Sequence, residues 1–240
     1  MDLTEISTAA ILLATLASLS VRLSPRTPPS YPPLVVCHLG AIALIALSQS
    51  WIFDPLDAAL GGTSLVNLLS HCCMVIVLWT VTTMIAGPLL DDDEDPRVLR
   101  GAVLTIALVG TIVAFAVLSP EESSRGLDNY DHRPAYVAYQ VFSLMPLWAP
   151  AFWMIPRLLH ALGGGPFHRL QATYIAFLIA YSASVLCVLS YAAAAAGEWI
   201  LPLRELLVVI TGAAGMIGFF LVPLTTTKGS AGAVPDRRGT

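Results

Sequence analysis

Seven stretches of this chain are long and apolar enough to cross a lipid bilayer, and almost no charge lies inside them. A hydrocarbon core about 30 Å thick needs roughly 20 apolar residues per helix. Seven crossings joined by short loops use nearly all of the 240 residues and leave no room for a separate soluble domain. Composition agrees: 12% of residues are charged, against about 25% in an ordinary soluble domain. The net charge of −4 is modest and argues against a nucleic-acid partner.

The expected fold is all-α, a seven-transmembrane-helix bundle of the plasma membrane formed by residues 1–226. The spans fall at about 6–23, 34–53, 65–89, 98–118, 136–160, 168–196 and 204–226. Residues 227–240 are expected to form a disordered tail. The first span is read as retained, because Met1-Asp2-Leu3-Thr4-Glu5 is acidic where a secretory signal needs a basic start. It ends at Ser24-Pro25-Arg26-Thr27-Pro28-Pro29, where the prolines forbid a helix.

Seven crossings put the termini on opposite sides, and the distribution of Lys and Arg chooses the orientation. One set of loops and ends holds Arg22, Arg26, Arg97, Arg100, Arg157, Arg169, Lys228, Arg237 and Arg238. The other holds Arg125, Arg133 and Arg204. The N-terminus is therefore expected outside and the C-terminus in the cytoplasm. The acidic run Asp91 to Asp95 then lies inside, which the rule tolerates because acidic residues weigh little in it.

What the spans lack is as informative as what they hold. No Asp or Glu lies near the middle of a span; Glu5, Glu198 and Glu205 sit at ends. That weakens an ion-coupled transporter, since intramembrane charge is the usual mark of such a pathway. The one lysine, Lys228, is in the tail, which excludes a retinal Schiff base. Cys37, Cys72, Cys73 and Cys187 lie in apolar segments without CxxC spacing, so neither a disulfide framework nor a structural zinc site is expected. No motif assigns a catalytic residue, a metal ligand or a cofactor.

The polar residues that remain converge on the outer half. Asn67 and His71 are four apart on the third span and share a face, with Ser70 beside them. Tyr139 and Gln140 open the fifth span near the outer surface, and the sixth carries Tyr181. Asn67, Ser70, His71, Tyr139, Gln140 and Tyr181 are the candidate lining of an outward polar cavity for a small or amphipathic ligand. Histidine titrates near neutral pH and suits a sensing role. Interhelical hydrogen bonds that merely hold the bundle would explain the same residues. The connection from about Ser119 to Ala135 is the longest and would serve as a lid.

Alternatives come from other residues. A transporter or channel subunit would use the same cavity. A redox or metal-dependent membrane enzyme would draw on His38, His160 and His168, which share the cytoplasmic side. Gly212, Gly215 and Gly218 let helices approach closely, within the chain or between copies. The oligomeric state is not readable from the chain.

The segment Asn67-Leu68-Leu69-Ser70-His71 followed by Trp79 resembles a motif of a family of uncharacterised actinobacterial seven-helix integral membrane proteins. So do a fifth span entered through Tyr136 and Tyr139 and left through Ile155-Pro156-Arg157, and Arg169 opening the sixth. The Cys72-Cys73 pair and the Asp91 to Asp95 loop depart from that pattern. The resemblance implies a sensing or signalling role, with a cytoplasmic regulatory protein as partner beside the lipid bilayer itself.

Overall fold

The computed structural model describes Thr15, Leu19, Ser20 and residues 32–89, 96–163, 170–193 and 200–226. Most of the first expected span, the Asp91 to Asp95 run, His168, Arg169 and the tail therefore lie outside the described residues. Among the described residues the regular structure is all helical. The helices are α1 (Pro32–Leu47), α2 (Ser50–Ala59), α3 (Leu65–Ala86), α4 (Pro96–Leu118), α5 (Pro134–Ser143), α6 (Met145–Leu162), α7 (Gln171–Ala193) and α8 (Leu201–Thr226). Short 3-10 segments lie at Gly87–Leu89 and Arg125–Tyr130.

Among the described residues three helices are long and apolar enough to cross a membrane: Leu65–Ala86, Gly101–Leu118 and Gln171–Tyr191, with mean hydropathies of 1.9, 2.5 and 2.0. The bent pair α1–α2 would make a fourth. Their surfaces fit that environment. Ile175, Ile179, Leu186 and Leu189 form an exposed apolar face on α7, and Ile106, Val109, Val113 and Val117 do the same on α4. Soluble monomers rarely expose contiguous apolar surface on this scale. The hydroxyls instead point inward: Thr111, Ser184, Ser190 and Thr211 are buried, and each donates to a carbonyl of its own helix.

Two of the apolar runs are broken. The run expected at 34–53 turns by 84° between α1 and α2. At the break Ser48 Oγ and Gln49 Nε2 donate to the carbonyl of Ile45 at 2.8 and 3.2 Å. Such local side-chain bonds compete with continuation of the helix. Helix α2 leaves nearly perpendicular to α1 and exposes Trp51. The run expected at 136–160 breaks at Leu144, between α5 and α6. Pro146 has no N–H and its ring clashes with the carbonyl four residues back, so the helix cannot run straight through. The carbonyls near the break are taken up by side chains. Ser143 Oγ donates to Tyr139 O at 2.7 Å, Trp148 Nε1 to Val141 O at 2.8 Å and Thr82 Oγ1 to Pro146 O at 3.0 Å.

Helix α1 packs on α3, α3 on α4 and α6, α4 along α5, α6 along α7, and α7 along α8. The cores separate along the bundle. Leu34, Val81, Leu147, Met154 and Phe177 pack near one end; Phe115, Leu118, Leu127, Tyr139 and Tyr191 pack near the other. The second end gathers the start of α3, the end of α4, the start of α5 and the end of α7, and it carries the candidate site.

Glycines set the closest approaches. A Cβ on Gly40 would strike Val77, and one on Gly110 would strike the Phe142 ring. A Cβ on Gly218 would stand 2.7 Å from the Phe177 ring, whereas Gly212 and Gly215 have nothing within 4 Å. The glycine stripe of α8 is therefore split between an internal contact and an open face. Gly218→Leu is expected to destabilise the bundle by about 1–3 kcal/mol through overpacking. Gly212→Leu should leave the unfolding midpoint of the protein in detergent unchanged. Equal effects of the two would overturn this packing.

Candidate ligand-binding site

Asn67 stands one turn into α3, 6% exposed, and both its side chain and its backbone carbonyl are engaged. The carbonyl accepts from His71 Nδ1 at 2.9 Å and from the Tyr139 hydroxyl at 3.0 Å. The first contact follows from the four-residue spacing, which sets the imidazole over the preceding turn. The second ties α3 to α5. A carbonyl can only accept, so Nδ1 of His71 carries the hydrogen and Nε2 is left as an acceptor. The His71 and Tyr139 rings lie 4.5 Å apart, centre to centre, and are tilted by 46°. Gln140, next to Tyr139 and 8% exposed, brings its side-chain amide to His71.

The Asn67 side chain faces the connection between α4 and α5. Its Nδ2 donates to Ser124 O, and its Oδ1 accepts from Gly126 N at 3.1 Å. One primary amide thus reads a carbonyl and an N–H of the same backbone segment. Ser64 reinforces the clamp: its hydroxyl donates to Glu122 O and accepts from Ser124 N, each at 2.9 Å. Leu127 then drops fully buried into the core between Phe115, Leu118 and Tyr139. It does so at φ 60, next to Gly126 at φ 78. A non-glycine residue in that left-handed region is held there by its surroundings. Tyr130 closes the segment, its hydroxyl accepting from Glu121 N at 3.0 Å. Arg204 of α8 reaches Asp131 at 3.9 Å. The connection is a docked cap, fixed at its middle and at its end.

Asp57 supports the start of α3 from below. It is fully buried on α2, and its two oxygens accept from Ser64 N at 3.1 Å and Val66 N at 3.3 Å. A carboxylate on the free N–H groups of a helix start satisfies orphan donors and complements the helix dipole. Ser64 itself sits at φ 59.

The structure brings together Asn67, His71, Tyr139 and Gln140. Ser70 is half-buried beside His71, and no hydrogen bond of the cluster reaches it. Tyr181 is elsewhere: its hydroxyl donates to Thr82 Oγ1 at 3.2 Å. Thr82 lies about 16 Å further along α3 than His71 at 1.5 Å per residue, so Tyr181 serves the broken α5–α6 junction and not the cluster. Asp57, Ser64, Ser124 and Leu127 complete the site and were not singled out from sequence. Their roles rest on backbone groups brought close by the fold, and only the Ser64–Asn67 spacing at a helix start was a visible signal.

The other candidates are dispersed. His38 is fully buried on α1 with Nδ1 donating to Leu34 O at 2.7 Å, while His160 is exposed on α6. Among the described residues no group of three or more His, Cys, Asp or Glu could hold a metal ion. All four cysteines are free thiols. Comparison with known proteins adds no family: no protein-family model matches the chain, and no curated protein and no solved structure is similar to it.

Proposed function

We propose that this is a seven-span, multi-pass protein of the plasma membrane, N-terminus outside, that acts as a sensor or regulatory protein. A small or amphipathic ligand binds at the outward polar cluster of Asn67, His71, Tyr139 and Gln140, with Ser70 at its edge. The cap from Ser119 to Arg133 is the lid, and cytoplasmic loops pass the change to a regulatory protein. The apolar exposed faces of α4 and α7 and the excess of Lys and Arg on one set of loops support the membrane placement.

The observation that carries the reading is the Asn67 clamp. Its amide holds one carbonyl and one N–H of the cap backbone. Release of the cap would expose a donor and an acceptor on Asn67, an acceptor nitrogen on His71 and the amide of Gln140. A ligand that displaces the cap has to offer an adjacent acceptor and donor in their place, as a carboxamide or peptide group does. Leu127 leaves an apolar socket that an alkyl group would fill. A transporter needs a mobile charge, whereas Asp57 is already bonded to two backbone N–H groups.

The test is native mass spectrometry of the protein extracted gently from its own membrane, followed by thermal stability with and without the small molecule found. His71→Ala is expected to abolish the stabilisation by that molecule while the free protein still folds. Stabilisation that survives the substitution would sink the proposal. A co-purifying protein that dissociates when the cytoplasmic loops are altered would support the regulatory part, and solute flux in proteoliposomes would count against it.

A further inference from the structure

The outer face of α4 and α5 carries a second feature, a groove whose lining includes no residue of the Asn67 cluster. An open groove of about 530 Å³ runs between the two helices, walled by Ile106, Val109, Val113 and Val117 on one side and Ala135 and Ala138 on the other. Gly110 allows the Phe142 ring to close its floor, while the small alanines leave the space above it open. The groove follows α4 over twelve residues, about 18 Å at 1.5 Å per residue. One leaflet's share of the hydrocarbon core is about 15 Å. Helix α4 has the highest mean hydropathy of the candidate spans, 2.5, and 28% of that span is buried, so with α4 across a bilayer the groove would open onto hydrocarbon.

Charge is concentrated at one end of it. Arg133 is two residues before Ala135, and its Nη1 donates at 3.3 Å to the carbonyl of Leu118, the residue after Val117. Its guanidinium stands 4.9 Å from the centre of the Tyr130 ring. Arg133 is exposed and, among the described residues, has no carboxylate partner. The Tyr130 hydroxyl in turn accepts from the backbone N–H groups of Glu121 and Glu122, whose side chains are exposed. The segment beside the Val117 end of the groove thus carries one exposed cation and two exposed carboxylates. A guanidinium offers a planar fork to phosphate, and carboxylates suit an ammonium group.

We propose that this groove binds an amine-bearing zwitterionic phospholipid. One acyl chain lies between α4 and α5, the phosphate sits on Arg133 and the ammonium faces Glu121 and Glu122. The site rests on the membrane placement of α4, and not on the ligand cluster under the cap. The test is native mass spectrometry of the full chain in detergent, titrated with phosphatidylethanolamine, phosphatidylglycerol or diacylglycerol. Saturable binding of one phosphatidylethanolamine, tighter than either comparator, is expected. Arg133→Gln should weaken it about tenfold, the effect of losing one charge-assisted contact, and Arg133→Lys should restore part of it. Ala138→Trp fills the groove without touching the cap and should abolish binding. Val109→Trp, on the opposite wall, gives the same reading if the first variant does not fold. Equal affinity for phosphatidylglycerol or diacylglycerol, or wild-type affinity in Arg133→Gln or in a folded groove-filling variant, overturns the site. Absence of phosphatidylethanolamine binding by the wild-type chain, where that chain still resists alkaline extraction from membranes, sinks the site alone. Release of the chain by that extraction sinks the membrane placement as well.

Discussion

Asn67→Ala is expected to lower the unfolding free energy by about 1–3 kcal/mol, because two part-buried hydrogen bonds that hold the cap are lost together. Those partners are the carbonyl of Ser124 and the N–H of Gly126, both tied to Asn67 in the closed cap. Asn67→Asp should be at least as harmful. It keeps an acceptor for Gly126 but turns a second oxygen toward the Ser124 carbonyl. The backbone carbonyl of residue 67 is unchanged by either substitution, so the contacts from His71 and Tyr139 should persist. The measurements are equilibrium unfolding in mixed micelles and amide hydrogen exchange. Exchange should rise sharply at Gly126 and Ser124 and little within α3. A loss below about 1 kcal/mol with Gly126 still protected would mean that the clamp is not what holds the cap.

The clamp also shows which parts of the molecule can be read from sequence. Asn67 and His71 are visible as a pair because helix geometry puts positions four apart on one face, and the structure joins them through one carbonyl. Tyr139 and Gln140 are visible as polar residues at the mouth of an apolar run. Their meeting with α3 depends on the packing of α5, which one chain does not reveal. Tyr181 illustrates the cost of that ignorance. It is visible as a polar residue of an apolar span, but its partner is Thr82, far down α3 from the cluster.

Breaks inside apolar runs were hidden for a different reason. Hydropathy averages over a window, so Ser48-Gln49 and Pro146 vanish among strongly apolar neighbours. The 84° turn after α1 and the junction at Leu144 decide local geometry all the same. Asp57 followed from the first of these. Read as part of a loop beyond a straight span, it carries no signal. Placed on α2, after the turn, it reaches the free N–H groups at the start of α3. The continuous helices Leu65–Ala86, Gly101–Leu118 and Gln171–Tyr191 needed no such correction, since none of them contains a proline.

Leu127→Ala is the second large effect, and it tests whether the cap moves as one body. Truncating a buried leucine costs about 2–5 kcal/mol, more where the surroundings cannot collapse into the space. Leu127 is fully buried among the rings and helix ends of the core that holds Phe115, Leu118 and Tyr139, which favours the upper half of that range. Alanine keeps a Cβ, so the backbone at φ 60 stays as unfavourable as before and offsets nothing. The informative measurement is the double-mutant cycle with Asn67→Ala. Leu127 and Asn67 grip the same few residues of the cap from opposite sides. If one loss already releases the segment, the second removes little more, and the pair should fall short of additivity by about 1–2 kcal/mol, within the range seen for coupled neighbours. Strict additivity would mean that the plug and the clamp open independently. A ligand that needs both gone would then face two separate closures, and the lid as proposed, a single segment displaced in one step, would not survive.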